Sequence, residues 1–243
     1  MENIFRKTYT IQDNCTDRFD RLKHSMILFY AQDAATSHCA RLGLDWDTMA
    51  AKGMFWAVTR TKVQVERLPS HGETVTVETW PMPTTRVAYP RAMAMYDEQG
   101  ELLLRTVSLW VLVDLEKRTM ILPGKSGVDV GGILRGNELK APAGIPPAET
   151  DHMARRTVAY TDLDVNGHLN NARYLDWVDD LSGSDFHGSH RLREMTLVYA
   201  QEAREGQELD LLWSWNDEEK VFHSEFNREG HRVFAAKLEY CVM

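Results

Sequence analysis

The chain has 243 residues, room for one large domain or two small ones, each with a real core. Hydrophobic residues make up 43% and charged residues 26%, ordinary globular usage that argues against disorder of the whole. The formal net charge of −8 argues against a general nucleic-acid binder, which needs a basic field. It leaves room for a local basic patch facing an acidic protein, and Arg155, Arg156, Arg173, Arg191, Arg193 and Arg204 lie close in sequence.

The three cysteines, Cys15, Cys39 and Cys241, are odd in number and far apart. They offer neither a disulfide framework nor metal-ligand spacing, which suits a reducing, cytoplasmic setting. Residues 1–13 lack the apolar stretch of a secretory signal. The longest apolar run, Leu102 to Leu115, is broken by Arg105 and Asp114 and is too short to span a bilayer, so no membrane association is expected. The Asn14-Cys15-Thr16 sequon is then chance.

In chain order, Leu22 to Leu42 places Leu22, Met26, Phe29, Tyr30, Ala34 and Leu42 on one helix face, with Gly43 as a stop. Strand patterns follow at Phe55–Leu68, Thr74–Trp80, Arg91–Tyr96 and Leu102–Asp114, with a hairpin turn at residues 97–100. Pro123 to Thr150, rich in Gly and Pro, reads as a linker. A shorter helical stretch, Ala172 to Leu181, opens the second half. Strand patterns then occupy Met195–Ala203, Glu208–Asn216, Lys220–Phe226 and Val233–Val242. The turn at residues 227–230 matches the one at 97–100. Gly72 and Gly206 lie 134 residues apart and Gly100 and Gly230 lie 130 apart, a nearly constant offset that points to a weak internal duplication. The expected class is α+β, with a helix laid on an antiparallel sheet in each half. The expected divisions are residues 1–125, a linker at 126–150, and residues 151–243.

Chemistry concentrates between Tyr160 and Asp180. Asp162, Asp164, Asn166, His168, Asn170 and Asn171 crowd into ten residues, alternating so that in an extended chain Asp164, Asn166 and His168 point the same way. Gly167 permits tight backbone geometry beside them. Asn170 or Asn171 is a good N-cap for the helix that follows, and a helix start can stabilise negative charge. Spacing alone reads equally well as a polar loop with a helix cap.

The stretch from Asp162 to Asn171, followed by Tyr174 and Trp177, resembles the signature of acyl-acyl carrier protein (acyl-ACP) thioesterases of plants and bacteria. The resemblance covers nearly the whole chain. Residues 30–34, Arg60, residues 65–69, Gly72 and Thr79-Trp80 resemble the family's first half; residues 195–199 through Glu202 resemble the strand bearing a further acidic residue. It implies a double hotdog, two tandem repeats of a central helix wrapped by a curved antiparallel sheet. It also implies hydrolysis of fatty acyl-ACP to free fatty acid and holo-ACP in fatty acid biosynthesis, with no metal or organic cofactor. The partner implied is acyl carrier protein bearing acyl-phosphopantetheine. Catalytic positions map onto Asp164, Asn166, His168 and Glu202, and the first half shapes the acyl pocket. Plant members often carry a cysteine right after the glutamate; here Ala203 stands there, which excludes a thiol nucleophile if the alignment holds.

Thioester hydrolysis needs an activated water or nucleophile, charge stabilisation at the oxyanion, and orientation. Asp164 or Glu202 is expected as general base, with His168 and Asn166 orienting or donating to the thioester oxygen and a helix-start N–H near Asn171 completing the oxyanion site. Attack by Asp164 to form an anhydride is the covalent alternative. Asp33 and Asp180, at matching places on the two helices, read as helix–loop caps. Asp185, His187 and His190 read as surface residues of a Gly/Ser loop, short of a fourth metal ligand. Trp56, Trp80, Trp110, Trp177 and Trp213 read as core. The competing functions are an acyl-CoA thioesterase and a non-catalytic acyl-binding protein. A homodimer, or a monomer with two pseudo-symmetric halves, is expected.

Overall fold

The structure, a computed structural model, describes residues 3–243. It divides into two compact units, one of residues up to 22 and 29–142, the other of residues 23–28 and 143–243.

The first unit contains strand β1 (Phe5–Thr10), helix α1 (His24–Arg41, whose first turn belongs to the other unit), the short helix α2 (Trp46–Ala51) and strands β2 (Met54–Val65), β3 (Thr74–Pro81), β4 (Tyr89–Tyr96) and β5 (Leu102–Asp114). A two-residue strand β6 (Met120–Ile121) pairs with β5, and a single helical turn α3 (Pro123–Ser126) follows. The sheet is antiparallel in the order β1-β3-β4-β5-β2.

Helix α1 lies against one face of this sheet. Tyr30 packs tilted against Tyr9 of β1, ring centroids 4.7 Å apart, and His38 stacks on Phe5 at 5.7 Å. Tyr30, Ala34, Ala35 and His38 are buried, while Leu42, expected on the same face, is exposed. The chain turns at Gly43, which has positive φ, so Leu42 lies beyond the last helical turn. Asp33 caps nothing. Its carboxylate takes hydrogen bonds from Lys7 and Tyr9 of β1, whose donors hold it below the usual carboxylate range.

The opposite face carries Trp80, Ala92, Ala94 and Val107, covered by Ile4, Met82, Ile133 and Leu139. Much of the expected linker is therefore part of the first unit. Asn3 donates to the carbonyls of Val130 and Gly131, Ile133 N–H to Pro81 O, Arg105 to Asn137 O, and Trp80 Nε1 to Glu138. Gly132 lies so close to β3's exit that a Cβ there would sit 2.3 Å from Met82 O.

The second unit contains β7 (His152–Thr157), α4 (Arg173–Ser189), β8 (His190–Tyr199), β9 (Glu208–Asn216), β10 (Val221–Arg228) and β11 (His231–Val242). Its antiparallel order is β7-β9-β10-β11-β8, the order of the first unit strand for strand. Strand β7 ends the order and pairs on one side. Tyr174 and Trp177 of α4 pack against Phe226 and Phe234, so the aromatic stripe of the motif is what seats the helix on its sheet.

Helix α4 runs longer than its periodicity suggests, because Gly183 (φ 76°, ψ 172°) breaks it and a second helical piece continues to Ser189. Asp185, His187 and His190 are thus not in a loop. His187 Nε2 meets Ser182 Oγ at 2.9 Å, and His190, the first residue of β8, stacks on Phe186 at 4.2 Å. Each unit is a helix laid on a five-stranded antiparallel sheet, and the fold is the double hotdog, α+β in class.

Candidate active site

Asp164, Asn166 and His168 do not lie on an extended strand. The chain forms a tight turn closed by Asp164 N–H to His168 O (2.8 Å), with Leu163 and Leu169 bridged behind it. Gly167, at φ 72°, makes the corner. Asp164 Oδ1 accepts two backbone N–H groups, from Asn166 at 2.8 Å and His168 at 3.2 Å. The second carboxylate oxygen has Asn166 Nδ2 at 3.5 Å. This is the local competition between a short acidic side chain and the backbone that builds Asx turns.

The turn is pinned on both sides. Buried Asp162 accepts from Ala159 N–H at 2.9 Å, and its carbonyl takes Asn170 N–H at 2.9 Å. Leu169 N–H donates to Ala203 O at 2.8 Å, and His168 bridges to Arg204. Those contacts bring Glu202, on the loop after β8, beside His168. Their side chains meet at Nε2–Oε2, 3.1 Å. The imidazole is 13% exposed and the carboxylate 41%, so the pair is sheltered on one side and open to reactants on the other. Asn166 beside it is exposed.

Asn170 and Asn171 do not take the N-cap. Ala172 holds that position, and Asn170 Oδ1 accepts Ala172 N–H instead. Asn171's carbonyl accepts Tyr199 O–H at 3.1 Å. Burial pushes the Tyr199 and Tyr174 phenols up, so both remain neutral donors; Tyr174 also feels Arg228 and Glu202.

Arg228 is a site residue that sequence reasoning passed over. Its guanidinium donates to Glu202 O (3.0 Å), Gln207 (2.7 Å) and Gln201 (3.1 Å), tying the Glu202 loop to the end of β10. Its signal was a cation just before the β10–β11 turn, read only as turn chemistry. Arg204 Nη2 stands 3.8 Å from Glu202. Of the other arginines, Arg155 pairs with Asp210, Arg156 with Asp180 and Arg173 with Asp176. The Asp180 carboxylate is thus engaged by β7 as Asp33 is by β1. Ala203 is buried beside Glu202, and Cys241 pairs in register with Arg191, at the opposite end of β8 from Tyr199.

Two family models divide the chain. Residues 2–122 match the acyl-ACP thioesterase N-terminal domain and residues 146–240 the acyl-ACP thioesterase C-terminal domain. The chain belongs to the acyl-ACP thioesterase family. The dodecanoyl-[acyl-carrier-protein] hydrolase of Cinnamomum camphora is 27% identical over 214 residues, 82% of this chain and 56% of that protein. The palmitoyl-acyl carrier protein thioesterase of Gossypium hirsutum is 27% identical over 244 residues, 93% of this chain and 58% of that one. The chain thus spans little more than half the length of these relatives. An acyl-ACP thioesterase structure from Bacteroides thetaiotaomicron superposes with TM-score 0.90 at 24% identity, covering 98% of both chains. The 12:0-ACP thioesterase of Umbellularia californica does so with TM-score 0.85 at 25% identity, covering 100% of this chain and 99% of that one. Among the described residues of this acyl-ACP thioesterase family member, no helix is long and apolar enough to cross a membrane.

Proposed function

We propose that this protein hydrolyses fatty acyl-ACP thioesters to free fatty acid and holo-ACP. The observation that carries the reading is the His168–Glu202 pair, 3.1 Å apart and half open, set on a turn in a member of this family. Glu202, through or beside His168, takes a proton from the attacking water as it adds to the thioester carbon. The oxyanion receives a hydrogen bond from exposed Asn166. The tetrahedral centre then collapses with loss of the phosphopantetheine thiolate, a fair leaving group because a thiol's pKa is near 8.5.

Asp164 has a different part. Its carboxylate already accepts two backbone N–H groups, so its lone pairs are engaged in the turn; it holds Asn166 and His168 in place. The first unit holds the acyl chain and the second carries the chemistry. Arg204, 61% exposed beside Glu202, meets the phosphate of the prosthetic arm.

The test is turnover of purified protein on acyl-ACPs and acyl-CoAs of several lengths, with Glu202→Gln as control. Hydrolysis favouring acyl-ACP and lost in the variant supports the proposal. Preference for acyl-CoA replaces the carrier, and a folded protein inert on both is a binder.

A further inference from the structure

Arg91 of β4 reaches α1 from the interior, yet keeps some accessible surface. Its guanidinium meets His38 Nδ1 at 3.2 Å, Thr79 Oγ1 at 3.4 Å and Cys39 Sγ at 3.6 Å. All three partners are neutral. Burial and the Arg91 and Arg41 charges push His38 down to about 4, and burial pushes the Cys39 thiol up. Among the described residues no carboxylate pairs with Arg91. Asp45 caps α2 through Thr48, and Glu78, on the other face of β3, pairs with Arg6 and Arg135. An interior cation with five N–H donors thus has three neutral acceptors and no counter-charge among the described residues.

A second donor lies beside it. Trp110 stands opposite Tyr89 in the β4–β5 register, and Arg91 stands opposite Ser108, so Tyr89, Arg91, Ser108 and Trp110 share one face. Trp110 Nε1 is buried with no hydrogen-bond partner among the described residues. One sheet face thus carries a cation with neutral partners alone and a buried indole N–H with none, and the second is unusual because buried N–H groups are nearly always satisfied.

We propose that the Arg91–Trp110 face binds an oxygen acceptor carried on the acyl chain, a hydroxyl, oxo or carboxylate group, and so selects oxygenated over plain alkyl chains. This rests on the reading that the first unit holds the acyl chain. An unsubstituted chain leaves the indole N–H unpaired and the guanidinium with neutral partners alone; an oxygen on the chain offers both an acceptor.

The experiment measures binding of free acids by calorimetry, which needs no turnover. The probes are dodecanoic acid and the same acid bearing a hydroxyl at position 3, mid-chain or terminally, and dodecanedioic acid. The wild-type protein is expected to bind at least one oxygenated acid about tenfold more tightly than dodecanoic acid. Arg91→Met is expected to abolish that ratio and Trp110→Phe to reduce it, with cooperative melting retained in both; Arg91→Lys serves if the Met variant does not fold. Equal affinity for all acids in the wild type, or an unchanged ratio in the variants, overturns the proposal. A preference for oxygenated acids in a protein inert on every acyl-ACP sustains it while removing the hydrolase reading.

Discussion

Asp17 and Asp164 make the same backbone hydrogen bonds in the two units. Asp17 Oδ1 accepts the N–H groups of Phe19 and Arg21 at 2.8 and 3.0 Å, and its own N–H reaches Arg21 O at 2.7 Å, as Asp164 does with Asn166 and His168. Behind each turn a leucine, Leu22 or Leu169, donates at 2.8 Å to the loop after the helix-facing strand, at Pro69 or Ala203. The scaffold is therefore built twice and furnished once. Where the second unit has Asn166, His168 and Glu202, the first has Phe19, Arg21 and Leu68. Asp17, whose other oxygen pairs with Arg21 at 2.9 Å, holds the backbone of its turn in a copy that lacks the amide, the imidazole and the second carboxylate.

That contrast makes Asp164 testable. Asparagine keeps an Oδ1 acceptor for the two N–H groups, whereas alanine removes it. Asp164→Asn is expected to keep kcat/KM for acyl-ACP within about tenfold of wild type, and Asp164→Ala to lower it about 10²-fold through misplacement of Asn166 and His168. Equal losses in the two variants would instead make Asp164 the base or the nucleophile.

Glu202→Gln retains size and polarity but no basic carboxylate. Its kcat is expected to fall about 10²–10⁴-fold, the usual span for lost general-base catalysis. Single turnover in 18O-water should leave no label in the Glu202 or Asp164 carboxylates; label found there would show an anhydride route.

In the first unit, Asp17→Ala is expected to lower unfolding stability by about 1–2 kcal/mol, since two backbone donors lose their acceptor. Asp17→Asn should cost less. Urea denaturation of both variants checks the order, and a larger loss in the asparagine variant would refute the backbone-holding role.

His38 gives stability a pH dependence. Burial first, then Arg91 and Arg41, lower it from 6.5 to about 4. The fold favours the neutral ring while the unfolded chain takes up a proton at its ordinary pKa. The contribution is present above about pH 6.5 and is lost as pH falls through about 4, an effect on the order of 1–3 kcal/mol. In His38→Gln, the gap in urea midpoint between about pH 7.5 and about pH 4.5 should narrow; an unchanged gap would place the acid sensitivity elsewhere.

Gly132→Ala places a methyl 2.3 Å from Met82 O, a backbone atom that cannot swing aside. A loss of about 1–3 kcal/mol is expected, with faster proteolysis across residues 128–142 as that segment loosens. Timed digestion followed by mass spectrometry reads it directly.

Much of this molecule was legible in its sequence. The duplication, the strands with alternating Val, Ile and Leu, and the polar cluster at 162–171 all reflect local pattern. Strands β1 and β7 escape the pattern because Arg6-Lys7 and Arg155-Arg156 put a cation on each face and interrupt the apolar alternation. The six residues of α2 are too few to show a period. The site was read as an extended run because alternation is shared by strands and by Asx turns, and only tertiary contacts with Ala203 and Arg204 distinguish them. Arg91 carries no sequence mark, because its interest lies in what does not surround it.

Among the described residues strand β7 pairs with β9 alone, so its other margin is an open ladder of backbone groups. Such a margin invites the sheet of another molecule, and cations along it are a barrier to that addition. Arg155 and Arg156 thus guard the protein in a crowded solution even where their ion pairs contribute little to folding. A valine pair in their place would remove that barrier, at the cost of the Arg156 contacts with Asp180 and Trp177.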